Sequence, residues 1–193
     1  MPTSARLYID NIEVYARYMS ALPVSVAVLD THMYYLAYNK AWVKQYGLEA
    51  ADKKNEILGE DHYVFFPEIK KTRKDWRENH EKILAGATLE KQADSFIQQD
   101  GRTHFLHWRS FPFYNKDDSI AGIVIITESV TEHVTLQRFY DLSLDMLCTA
   151  GLDGFFKQVN PAFMRTLGYV EKTLLSRSFL SFFQDRYDRP SSA

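Results

Sequence analysis

The sequence predicts an α+β fold: a five-stranded antiparallel sheet with helices grouped on one face, an N-terminal helix in front, and the first half of a second copy behind. Two observations carry this. Residues 147–168 repeat residues 26–47 without a gap, so that Asn39-Lys40-Ala41-Trp42 matches Asn160-Pro161-Ala162-Phe163. The element order then reads β-β-α-α-α-β-β-β, and strands that join through tight turns form an antiparallel sheet with segregated helices. A repeat of roughly a hundred residues is a tandem domain and not a solenoid, whose units run about 20–50 residues.

Each element has a local cause. Asp10-Asn11-Ile12-Glu13 reads as a capping box, and Ile12, Tyr15, Ala16 and Met19 share one helical face. Leu22-Pro23 ends that helix, because proline disfavours helix in the residue before it. Val24–Asp30 and Met33–Tyr38 read as strands around a Thr31-His32 turn. Asn39 suits an N-cap and Gly47 a left-handed C-terminal position. Pro161 follows Asn160 where a helix tolerates proline best. Leu48–Ile69 reads as irregular with short helical turns. Trp76–Ala85 is a predicted helix with Trp76, His80, Ile83 and Leu84 on one side. Strands follow at Leu89–Gln98, Thr103–Phe113 and Ile120–Ser129, turned by Asp100-Gly101 and Asn115–Ser119. Val130–Asp141 reads as a helical connector. Met146–Thr149 and Phe155–Val159 restart the strand pattern. The expected organisation is an N-terminal helix (1–21), a complete domain (22–133), a connector (134–142) and a truncated second domain (143–193). Half a sheet would expose strand edges, so 143–193 is expected to be disordered, packed on the first domain, or completed by a partner.

The bulk chemistry narrows the function. The chain has 193 residues, 46% hydrophobic and 15% aromatic, enough to bury a core. Its net charge is −2 with both signs mixed, which leaves no basic footprint for nucleic acid. A single cysteine, Cys148, excludes an internal disulfide and fits a reducing, cytoplasmic compartment. The longest apolar run, Ile120–Ile126, is far short of the roughly 20 residues of a spanning helix, so no membrane contact is expected.

Four segments in order carry a resemblance. His62-Tyr63-Val64-Phe65-Phe66-Pro67-Glu68-Ile69 is similar to an HYDxFPEI segment, with Val64 in place of Asp. Trp76-Arg77, His80 and Leu84-Ala85-Gly86 are similar to WRxxHxxxLAG. Asp100-Gly101 with Trp108 and Pro112-Phe113 is similar to DGxxxWxxW…RPW. Ile123–Glu132 is similar to a last strand closing in Asp-Ile-Thr-Glu. Together they resemble the PAS sensory family. The resemblance implies a five-stranded PAS fold and a sensory or dimerisation module, usually within a bacterial sensor histidine kinase of a two-component system or a diguanylate cyclase. Neither catalytic apparatus is recognisable, so no enzyme activity is expected from this chain. The effector is expected to lie C-terminal, in the parent protein. Signal relay would run through Ser129, Thr131 and Glu132, with Ser129 standing where the family often has aspartate.

No cofactor is expected. Flavin-binding relatives need a cysteine on the mid-domain helix, and Cys148 lies on a strand, where it is expected to be a small buried hydrophobe. Haem-binding relatives use a histidine near Asp75, and His80 lies more than a turn later. The expected input is the binding of an unknown small molecule or of a partner. His104, Leu106, Trp108 and Ser110 are expected on the inward face of their strand, with Ser110 leaving room, and His62, Tyr63 and Trp76 are the helical-side pocket candidates. His104 and His107 should point to opposite faces; no metal site follows. Phe105, His107, Arg109 and Phe111 should face the N-terminal helix or a partner. The other reading is a ligand-free homodimerisation spacer, joined through Ile12, Tyr15, Met19 and Leu22.

Overall fold

The computed structural model describes residues 7–8, 12–67, 74–97 and 101–182. Two compact units divide between Thr131 and Glu132. In the first, β1 (Leu7–Tyr8) and α1 (Ile12–Met19) precede β2 (Ser25–Asp30) and β3 (Tyr35–Tyr38). Then come α2 (Lys40–Tyr46), α3 (Glu49–Lys53), α4 (His62–Phe65) and α5 (Lys74–Leu84). The hairpin strands β4 (Leu89–Ile97), β5 (Thr103–Tyr114) and β6 (Ile120–Ser129) finish the sheet.

The five predicted strands are antiparallel in the order β4-β5-β6-β2-β3. A sixth, unpredicted strand, β1, runs parallel to β5 through the pairs Leu7↔Phe113 and Tyr8↔Tyr114. It extends the β5 edge past the end of β4, and two residues carry no periodicity from which to foresee it. The Asp10 capping box and the Asp100 turn position lie outside the described residues.

Strand alternation gives the sheet two apolar faces. The helix-side face carries Ala27, Leu29, Ile123 and Ile125 against Trp42, Val43, Ile57, Tyr63, Phe66 and Ile83. The opposite face carries Val26, Val28, Phe113 and Val124, with Ile12, Ala16 and Met19 of α1 and with Phe111 packed on it. Two of the four dimer candidates, Ile12 and Met19, are thus engaged by the chain's own sheet. Tyr15 is half-buried, and Leu22 is exposed.

Asn39 organises the start of this unit. Its Oδ1 accepts from Trp42 N at 3.0 Å, capping α2, and from Val26 N at 3.1 Å. Its amide donates to Met19 O at 3.0 Å and Val24 O at 2.8 Å, holding the end of α1 to β2. Gly47, at φ 68, closes α2 in the left-handed region that glycine adopts without steric cost.

The second unit repeats this wiring. It contains most of α6 (Thr131–Leu142), then β7 (Cys148–Ala150), β8 (Phe156–Val159), α7 (Pro161–Leu167) and α8 (Glu171–Ser176). Asn160 accepts from Leu147 N and Phe163 N and donates to Tyr140 O and Asp145 O. Those four partners match the Asn39 set position for position. The unit gathers Phe156, Val159, Phe163 and Leu174 into its own small core. Residues 183–193 lie outside the described set, and with them part of the expectation for the second copy. Cys148 is exposed and not the expected buried hydrophobe. Its strand pairs only with β8 among the described residues, whereas the equivalent β2 is covered by β3 on one edge and β6 on the other.

Candidate ligand site

The helix-side face of the sheet is apolar at its centre and polar at one end. Ser25 pairs across strands with Thr127, and Thr127 with Trp108. Beside them, at the end of α2, the chain leaves a groove of about 500 Å³. It is lined by the β2 approach (Pro23, Val24, Ser25), by α2 residues including Lys44 and Gln45, by His104 and Leu106 of β5, and by Thr127–Ser129 of β6. A hydrogen-bonded relay crosses it: Ser25 Oγ donates to Gln45 Oε1 at 2.7 Å, and Gln45 Nε2 donates to Thr127 Oγ1 at 2.8 Å. The Tyr46 hydroxyl also donates to Thr127 Oγ1, at 3.1 Å. Burial pushes the Tyr46 phenol up to about 12, against hydrogen bonds with Thr127 and Gln45 that pull it down. The His104 Nε2 atom is buried and has no hydrogen-bond partner among the described residues.

Next to the groove lies an aromatic and imidazole cluster. Asp61 caps α4 through Tyr63 N, which sets His62 and Tyr63 on the inner side. The Tyr35 hydroxyl meets His62 Nδ1 at 2.9 Å, and the Tyr63 hydroxyl meets His80 Nδ1 at 3.0 Å. The two imidazoles stand 5.5 Å apart. Burial, then the neighbouring His80, holds His62 well below its ordinary value, and burial lowers His80 to about 4. Both rings are therefore neutral near pH 7, and each shares a hydrogen bond between its Nδ1 and a phenol hydroxyl. Burial raises the Tyr35 hydroxyl far above its usual range. Trp76 stacks at 5.1 Å from Trp108, whose indole donates to the buried Asp94 carboxylate at 3.0 Å. A bulge between Lys91 and Asp94, with Ala93 at φ 50, turns Asp94 inward. Two buried nitrogens here, Trp42 Nε1 and His80 Nε2, have no hydrogen-bond partner among the described residues. Such groups cost free energy unless a ligand or ordered water meets them.

The seven pocket candidates thus separate. His62, Tyr63, Trp76 and Trp108 form the cluster, and His104 and Leu106 line the groove. Ser110 faces inward but leaves no opening: its hydroxyl is committed to Val124 O at 2.8 Å within the sheet. His107 takes the other face and meets Glu90 at 2.8 Å. Ser25, Gln45, Tyr46, Thr127 and Asp94 went unrecognised in the sequence. Thr127 alone left a signal, as a polar residue in phase with the inward Ile123 and Ile125. No group of three or more His, Cys, Asp or Glu suited to a metal occurs among the described residues. No described helix is long and apolar enough to cross a membrane.

The exit of the sheet is tied back to it. Thr131 Oγ1 accepts from Phe105 N at 2.9 Å, and Val130 N donates to Phe105 O at 2.8 Å. Ser129 Oγ donates to Thr131 Oγ1 at 3.1 Å, so the serine joins the turn without a carboxylate. Glu132 lies in the first turn of α6.

A family model described as the PAS fold matches residues 19–135, and one described as the PAS domain matches residues 144–193. The chain belongs to the PAS family. Three solved structures similar to this chain are distant in sequence. The PAS domain of a Colwellia psychrerythraea protein is 14% identical, with 63% of this chain and 98% of that one covered at a TM-score of 0.47. The PAS domain of Bordetella pertussis BvgS is 20% identical, with 67% and 93% covered at 0.46. Vibrio cholerae VqmA, described as a dimer and a DNA-binding LuxR-type receptor, is 15% identical at 0.50. That match covers 73% of this chain and 58% of VqmA. No curated protein matches the sequence.

Proposed function

We infer that the first PAS unit senses a small molecule in the groove at the end of its sheet, and relays occupancy into α6. The observation that carries this is the identity of the groove wall. Thr127, Glu128 and Ser129 line it, and the same strand enters α6 two residues after Ser129. A ligand that prefers one arrangement of Thr127 and its Gln45 and Tyr46 partners biases the strand end. It shifts the equilibrium only by that preference. The Thr131–Phe105 bonds then pass the bias to the helix. The role is regulatory and non-enzymatic, within a bacterial signal-transduction protein whose effector is of the histidine kinase or diguanylate cyclase type.

Native mass spectrometry of the purified protein against its denatured mass tests this reading. A small mass lost on denaturation, and lowered in occupancy by Thr127→Val, supports it. A protein that carries nothing and shows no saturable change with any compound in a metabolite panel argues for the other reading, a ligand-free dimerisation spacer. One observation favours that alternative: Leu136 and Phe139 of α6 are 61% and 69% exposed, three residues apart on one helical side.

A further inference from the structure

Two buried imidazoles outside the groove help to seat α4 and α5 on the sheet. His62 is 3% exposed and His80 2%, and their rings stand 5.5 Å apart. Among the described side chains of α5, only His80 and Ile83 are buried, so one of this helix's two anchors is titratable. Tyr35 of β3 bonds His62 Nδ1, and Tyr63 of α4 bonds His80 Nδ1. Neither ring has a carboxylate partner among the described residues. The charged groups around the pair act on its phenols and on the neighbouring indole instead. Arg77 of α5 lies 5.7 Å over the Tyr63 ring, and Asp61 and Glu81 act on the same phenol. Asp94 of β4 is held by Lys91 and by Trp108 of β5. From α2 come Trp42, 6.4 Å from His62, and the Tyr46 phenol stacked on Trp42.

Protonation changes what these rings need. An imidazolium carries N–H on both nitrogens and accepts at neither. In His80 the Nε2 atom is buried and meets no acceptor among the described residues. A buried charge without a partner is costly enough that the group moves to water or stays neutral. Like charges 5.5 Å apart repel, so the pair takes up one proton.

We propose that the His62–His80 pair is an acid-sensitive latch: uptake of a proton by His80 frees α5 from the sheet while the central strands stay paired. Release of α5 takes Trp76 off Trp108, whose ring stands 5.1 Å away. Trp108 pairs across strands with Thr127, two residues before Ser129 at the exit of the sheet. The hydrogen ion thereby becomes an input to the first unit. The latch needs no ligand in the groove, so an empty groove leaves it standing.

Hydrogen exchange of the full chain at pH 7 and pH 5, with each amide's rate divided by its intrinsic rate, tests this. Burial lowers His80 to about 4 from an ordinary 6.5, so the open form binds the proton, and its population rises about twentyfold between pH 7 and pH 5. Protection across Lys74–Leu84 should fall by that factor, and at pH 5 it should lie at least about tenfold below that of Ser25–Asp30 and Ile120–Ser129. His80→Gln should abolish the fall. His107→Gln, on the other face of β5, should keep it. Ring-nitrogen NMR of the parent chain needs no variant: His80 should protonate only as α5 loses protection. Unchanged protection of α5, loss of α5 and the central strands together to one level, or a His80 that protonates while α5 stays protected would each overturn the latch. The groove reading stands or falls separately, on the mass measurement.

Discussion

Replacing Asn39 by alanine should unfold the first unit at markedly lower denaturant. Asn39 is 2% exposed and makes four hydrogen bonds through one amide group. Alanine keeps the backbone and deletes all four. One of the four partners is covered independently, because Leu22 N also donates to Met19 O at 3.1 Å. Val26 N, Trp42 N and Val24 O each lose a bond. At about 1 kcal/mol per hydrogen bond, the expected cost is about 3 kcal/mol. For a unit of this size that lowers the melting temperature by about 12 °C. Asn39→Ser should recover about 1 kcal/mol, since a hydroxyl can cap Trp42 N but cannot reach all the other partners. Tryptophan fluorescence during urea unfolding is the assay, because Trp42, Trp76 and Trp108 all lie in the first unit. An alanine variant within about 0.5 kcal/mol of the parent, or a serine variant no better than alanine, would refute the argument that this amide holds α1, β2 and α2 together.

Three further predictions follow from named contacts. A Cβ on Gly122 would lie 2.0 Å from Leu29 O and 2.7 Å from Phe113 Cε1, so Gly122→Ala should destabilise the first unit by several kcal/mol, about 3 or more; a thermal melt within about 2 °C of the parent would contradict this. Burial lowers His80 to about 4 from an ordinary 6.5, and lowers His62 in the same direction, so the unfolded chain binds more protons between those values. Stability is therefore full above about pH 6.5 and is lost as pH falls toward 4, by about 3 kcal/mol from His80 alone. Urea midpoints at pH 7 and pH 5 read this out, and His80→Gln should flatten the slope. Thr131→Val removes the acceptor for Phe105 N and should cost about 1 kcal/mol. It should also weaken any ligand-dependent change in hydrogen exchange across α6, and an unchanged exchange response would exclude Thr131 from the relay.

The legible parts of this chain were those with short-range causes. Asn39 and Asn160 announce N-caps, Gly47 and Gly168 announce left-handed ends, and both helices form where those residues place them. The β5–β6 hairpin was legible from its turn residues and its alternation. The inward face of β5 was legible for the same reason, since a period of two needs no partner to define it. The site was only half legible. His62, Tyr63, Trp76 and Trp108 were identified as inner residues, but the sequence did not show that His62 and His80 stand in contact, each bonded to a different tyrosine.

What remained hidden depended on distance along the chain. Ser110 looked like an opening because it is small, yet its hydroxyl is spent on Val124 O across the hairpin. Gln45 and Thr127 are far apart in sequence and meet only because β6 pairs with β2 beneath α2. Asp94 turns inward because of one extra residue in β4, which no propensity reveals. Cys148 is exposed because its strand has one partner among the described residues, a property of the sheet and not of cysteine. The amino-acid sequence by itself determined the five main strands, the Asn39 and Asn160 caps, the inward face of β5 and the family. Those follow from backbone geometry and from the period of apolar residues. The tertiary structure alone decided which polar groups meet, which stay buried without partners and where a groove remains. Those are set by the register and packing of residues remote in sequence.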